Sequence, residues 1–193
     1  MNRIDHEKIR NLMLYMADKN GEEIDFKKLL KLIYLADRLH LREHGRTIST
    51  DHYSAMKQGP VASTVYDKCK SIAGSKIEFG DSTDILDSFK SGSDYFIIKA
   101  IKKPVLDNFS QSEIKIISKV LETYGAFNGD QLSKITHNFY EWRKYEEMLK
   151  KNDTSFVIDM EDFFEEEDRG TIFEQSKERL QKIREVYKED HEF

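Results

Sequence analysis

The chain has 193 residues, of which 38% are hydrophobic and 35% charged, and a formal net charge of −5. That length suffices for one domain with a proper core, and charge above the roughly 25% of an average domain suits helices with charged outer faces. Apolar runs such as 32–36 are far too short to span a bilayer, and the N-terminal MNRIDHEKIR lacks the apolar core of a signal peptide. Cys69 stands alone, which excludes an internal disulfide and a cysteine-based zinc site, so a cytoplasmic protein is expected.

In chain order, Asp5 is placed to cap a first helix, along which Ile9, Leu12, Met13, Met16 and Ala17 recur at helical spacing before Asn20-Gly21 stops it. A second helix begins at Asp25, buries Phe26, Leu29, Leu30, Ile33 and Leu39 along one side, and ends at Gly45. Residues 52–56 alternate as a short strand. Pro60, whose missing N–H costs nothing at the first helical position, is expected to open a third helix with Val61, Val65, Tyr66 and Cys69 facing inward and Gly74 at its end. The runs 84–90 and 95–101 flank SGSD and predict a β-hairpin, which Lys102-Lys103-Pro104 breaks. Ser110-x-x-Glu113 is a capping box for a helix through Ile114, Ile117 and Leu121 to Gly125. Shorter helices follow at 130–135 and 139–149. A second capping box, Thr171-x-x-Glu174, is expected to start a charged C-terminal helix carrying Ile172, Leu180, Ile183 and Tyr187. The fold class is therefore mainly α: a compact helical domain with a small β-hairpin or sheet element and a C-terminal helix.

Charge divides the chain. Residues 1–151 carry a net +3 and residues 152–193 a net −8, which predicts a helical domain over 1–151 and an acidic extension over 152–193 bearing an amphipathic helix. Within the extension, Asp162, Phe163, Phe164, Glu165, Glu166 and Glu167 set aromatics among carboxylates. A solvated spacer explains the carboxylates, whereas exposed aromatics among them would suit docking on a basic partner.

Other constellations have ordinary explanations. His40 and His44, four apart on one helix with Asp37 three residues earlier, could face one metal ion. Leu41 stands where a metalloprotease helix would carry its glutamate, and histidines at a helix C-terminus are also favoured by the dipole. Ser63 and Cys69 have no neighbouring base. His137 lacks a visible partner for base catalysis and is expected to bond locally, with Trp142 packing nearby. Lys27, Lys28, Lys31, Arg38, Arg42 and Arg46 could form a phosphate-facing stripe, yet basic residues on a solvated helix side are common and the acidic extension opposes a polyanion. No metal, cofactor or nucleic acid is expected.

The run KLLKLIYLADRLHLREHGRTIS followed by HYSAMKQGPVASTVYD resembles the Panacea domain of SocA-like antitoxins and GepA-like phage-associated proteins. The features carrying the resemblance are Tyr34 and Asp37 in the helix, Gly45 and Arg46 in the turn, Tyr53 and Ala55 in the strand, and Gly59, Pro60 and Val61 after it. Thr136, His137 and Trp142 match the family's later block. The resemblance spans roughly residues 6–145. The chain departs from the pattern at His44 and at Thr47, where a proline is usual, which is expected to loosen that turn. The resemblance implies a non-enzymatic antitoxin that binds a cognate toxin protein directly, or an adaptor delivering it to a AAA+ protease. A DNA-binding regulator and a metal-dependent hydrolase are the competing expectations, the latter requiring His40, His44 and His137 to converge.

Overall fold

The computed structural model describes residues 4–74, 83–151 and 154–190. Helix α1 (His6–Asp18) starts where expected, with the Asp5 carboxylate accepting the Lys8 N–H at 2.9 Å. A short strand β1 (Glu23–Asp25) leads into α2 (Phe26–His44), capped by the Asp25 carboxylate at the Lys28 N–H, 2.8 Å away. Gly45 ends α2 at φ 75°, a left-handed conformation that costs glycine least, and its N–H returns to the Leu41 carbonyl. Every residue of 29–42 is buried. A helix covered on all sides forms the centre of a fold rather than one of its faces.

Strands β2 (Tyr53–Met56) and β3 (Gly59–Ala62) make a tight hairpin, followed by α3 (Ser63–Ile72). Here the expectation for Pro60 is corrected. It lies opposite Ala55 in an edge strand, where a residue without an N–H is tolerated, and α3 begins three residues later. The α3 N-terminus is served by Asp51, whose carboxylate accepts the Thr64 and Val65 N–H groups at 3.1 and 3.0 Å.

The predicted hairpin exists, but its first arm is shorter, because 83–86 form a helical turn, α4 (Thr83–Leu86), before β4 (Phe89–Ser91) and β5 (Ile97–Ala100). Strand β1 joins it, giving an antiparallel sheet of order β1-β5-β4. Helix α5 (Gln111–Tyr124) opens with the expected Ser110–Glu113 capping box, and Glu113 also pairs with Lys8 at 2.8 Å, tying α5 to α1. Helix α6 (Gly129–Thr136) packs along α2. The helix expected over 139–149 is two pieces, α7 (Tyr140–Arg143) and α8 (Glu146–Lys151).

The boundary expected after residue 151 falls on 152–153, outside the described residues. Beyond it, β6 (Phe156–Val157) pairs with β2, completing a second antiparallel sheet of order β3-β2-β6. A 3-10 helix (Met160–Phe164) follows, and α9 (Lys177–Glu189) then crosses the end of α2, where Gly45 faces Ile183 and Val186. The second capping box is corrected. Thr171 Oγ1 donates to the Asp168 carbonyl and Glu174 accepts the Gly170 N–H, so both close a turn, and Ser176 caps α9. Phe163, Phe164, Phe173 and Leu180 enter the common core.

Candidate functional site

The polar residues of α2 are the chemistry of this protein, and they fall into three groups. In the first, Asp37 is fully buried and its carboxylate accepts the Ile48 and Ser49 N–H groups at 2.7 and 2.9 Å, the Tyr53 hydroxyl at 2.6 Å, and the Ser49 hydroxyl. Burial raises its pKa to about 6, while the Ser49 and Tyr53 hydroxyls act against that rise. This clamp holds the turn after Gly45 without a proline, so Thr47 does not leave it loose.

The second group is an ionic cluster in which Arg38, Arg42 and Glu141 are buried and Asp168 lies at the rim. Arg38 Nε donates to Glu141 at 2.6 Å, and Tyr34 donates to the same carboxylate. Arg38 Nη1 and Arg42 Nη2 lie 2.7 and 3.0 Å from one oxygen of Asp168, both as ion pairs without hydrogen-bond alignment. Arg42 also donates to the carbonyls of Phe163, Glu166 and Phe173. The Arg38 guanidinium lies 3.8 Å from the centre of the Phe139 ring, a cation–π contact in a desolvated setting. Burial works against its charge, yet Glu141, Tyr34 and Asp168 together hold its pKa above the usual arginine value, whereas burial lowers that of Arg42 to about 10. Asp168 has φ 52°, a left-handed conformation that aspartate tolerates better than most residues.

The third group surrounds Lys31, which is 1% exposed and donates to the Pro60 carbonyl at 2.8 Å. Gly59 has φ 103°, and a Cβ there would sit 2.8 Å from both Lys31 Nζ and Thr136 Oγ1. Glycine is thus required twice, by conformation and by space. Ser133 donates to the Gln58 carbonyl at 2.9 Å and Trp142 Nε1 to the Met56 carbonyl at 2.8 Å, so α6 and α7 grip the hairpin turn from one side.

The structure gives the remaining sequence candidates mostly scaffold positions. Tyr34, Tyr53 and Phe163 pack ring against ring at 5.6–5.9 Å, and Ala55 and Val61 are buried in the hairpin. His40 is buried, with Nδ1 2.7 Å from the Arg46 carbonyl and Nε2 3.5 Å from Ser112, and burial lowers its pKa to about 4. His44 stacks obliquely on it at 4.6 Å. With Asp37 committed to its clamp, these side chains do not face one ion, and no group of three or more His, Cys, Asp or Glu suited to a metal occurs among the described residues. His137 lies elsewhere, stacked flat on Trp142 at 3.7 Å beside a shallow cavity of about 330 Å³. Its pKa is lowered by burial and then by Lys31. The three imidazoles are not brought together.

The expectation of exposed aromatics in the acidic segment is corrected: Phe163 and Phe164 are 0% and 5% exposed. The carboxylates around them meet cations of the same chain, Asp162 with Lys144, Glu165 with Arg184, Glu166 with Arg143 and Glu167 with Arg169. The reading of the basic residues as a solvated helix side is also corrected, since Lys31, Arg38 and Arg42 point inward. Sequence reasoning missed them as buried groups, although 31, 34, 38 and 42 follow the three-to-four spacing of one face and include Tyr34.

A family model described as Antitoxin SocA-like, Panacea domain, matches residues 29–143. No curated protein and no solved structure matches the chain.

Proposed function

The chain belongs to the SocA-like Panacea-domain antitoxin family, and from that premise we propose that it is the antitoxin of a bacterial or phage toxin–antitoxin pair, neutralising a cognate toxin by direct protein–protein contact. The observation that carries this reading is the family match over more than half of the chain. The disposition of α2 is consistent with it. The nucleophile candidate Cys69 is buried with its pKa raised by desolvation, His40 is held by a backbone carbonyl, and Asp37 by a turn. Of these residues Cys69 is thus enclosed in the core and His40 and Asp37 have scaffold partners, and the inward-pointing arginines do not form a face for DNA.

Co-expression with the toxin gene encoded beside this one tests the reading. Growth should be rescued, and the two proteins should co-purify as a complex in a protease-deficient host. Rescue confined to hosts with an intact AAA+ protease would mark delivery for degradation instead of blocking. Failure of both rescue and co-purification would overturn the proposal.

A further inference from the structure

Between the first turns of α2, the β2–β3 turn, α3 and the β4–β5 loop lies a groove of about 560 Å³. Leu30, Met56 and Val61 supply its apolar surface, and Tyr66 and Phe96 its aromatic walls. Phe96 is 54% exposed although it rests against Phe26, ring centres 5.3 Å apart. Lys31 forms part of the inner wall, and Lys27, Lys57 and Lys70 also line the groove. Asp25 is the one carboxylate among the lining residues, and it is occupied in capping α2.

We propose that this groove receives an acidic–aromatic segment of the partner protein, an aromatic side chain packing on Phe96 and Tyr66 while a neighbouring Asp or Glu carboxylate meets Lys31. The argument rests on charge complementarity at a built site. Lys31 is buried, and among the described residues it has a single acceptor, the Pro60 carbonyl, and no carboxylate partner. An ammonium has three donors, so an incoming carboxylate adds a charge-assisted bond where the fold supplies only a neutral one. Burial first, and then Lys27, lowers the Lys31 pKa to about 7, so a carboxylate arriving there draws a proton onto the amine. The other ionisable groups facing this region are Asp25 and Lys27 at the α2 start, Lys57 in the hairpin turn, Tyr66 and Lys70 on α3, Tyr95 beside Phe96, and His137 after α6. Lys27 and Lys70 already pair with the exposed Asp130 and the half-buried Asp67, contacts that solvent screens.

The inference deepens the reading of the chain as a partner-binding antitoxin and rests on it. Its test reads the groove without the toxin, so the two can fail separately. The full chain is titrated with acetyl-Asp-Phe-Asp-amide, with its neutral acetyl-Asn-Phe-Asn-amide counterpart, with the non-aromatic acetyl-Asp-Ala-Asp-amide, and with a single-stranded DNA oligonucleotide, following amide resonances by NMR and heat in buffers of different ionisation enthalpy. The acidic aromatic peptide should saturate below roughly 10 mM with shifts at Lys31, Met56 and Phe96, and at pH 8 should take up protons on binding. Binding should weaken roughly tenfold in Lys31→Met, with loss of the proton uptake. Phe96→Ser, at an exposed position, should weaken it as well and decides the matter if the Lys31 variant does not fold. Absence of saturation, equal binding of the neutral peptide, insensitivity to both substitutions, or binding of the oligonucleotide in place of the peptide would overturn the proposal.

Discussion

At the C-terminal half of α2, Arg38 and Arg42 are enclosed by Glu141, Asp168 and a row of carbonyls. At its N-terminal half Lys31 is just as deeply enclosed but receives one carbonyl. The same helix thus buries cations in two ways, and the difference lies in what the chain brings to each end. Asp168 and the carbonyls of Phe163, Glu166 and Phe173 all come from the segment after residue 152, which lies beyond the family match. That segment closes one end of α2 electrostatically, while the other end opens on a groove. A buried ion whose partner is removed is costly, whereas a buried amine without an ionic partner can shed its proton.

The largest effect should come from breaking the closed end. Asp168→Asn keeps the shape and the tolerance of a left-handed conformation but removes the charge between two arginines. We expect a loss of about 3 kcal/mol or more in urea unfolding, the usual consequence of removing one partner from a buried pair. A loss smaller than about 1 kcal/mol would mean that Glu141 and the carbonyls suffice for both guanidinium groups and that the two ends of α2 do not differ as described.

The open end should respond with the opposite character. Lys31→Met leaves the Pro60 carbonyl without its donor but relieves a buried amine, so the net change near pH 8 should stay within about 1 kcal/mol. The pH dependence sharpens the contrast. The folded pKa of Lys31 is about 7, below its ordinary value of 10.5, so between those limits the unfolded chain binds more protons than the folded one. Stability contributed by this site therefore rises with pH from about 7 to 10, and is lost as pH falls through 7. Unfolding curves of the parent and Lys31→Met should converge or cross over that window, while curves that stay parallel would place on Lys31 a charge partner that it lacks among the described residues.

The same contrast explains what could be read from the sequence. The caps at Asp5, Asp25 and Ser110 and the stop at Gly45 depend on bonds a few residues long, and local spacing reveals them. Asp37, Tyr34 and Tyr53 stood out through the family pattern, but their partners, Ser49 and Glu141, were not legible. Pro60 was misplaced because its fitness for a helix start competes with pairing to Ala55, a tertiary contact. Lys31, Arg38 and Arg42 read as surface because basic residues usually are, and only carboxylates and carbonyls from distant segments make their burial feasible. Phe163 and Phe164 were hidden in the same way, inside a charge run that carries two rings into the core.

The smallest effect is expected where the acidic segment meets solvent, and it separates the segment's inner role from its outer one. Glu165, Glu166 and Glu167 are a third or more exposed at their side chains and pair with Arg184, Arg143 and Arg169. Such pairs are screened by water and contribute little, unlike Asp168 one residue further on. Replacing all three with glutamine nearly keeps their shape, so the melting temperature should move by no more than about 3 °C. Toxin affinity should be unchanged as well, because the carboxylates already face cations of their own chain and the rings that could have anchored a partner are buried. A variant with unchanged melting but binding that falls steeply at low salt would place the partner on the acidic surface instead of in the groove at the far end of α2, and the groove peptides would then fail to compete with the toxin.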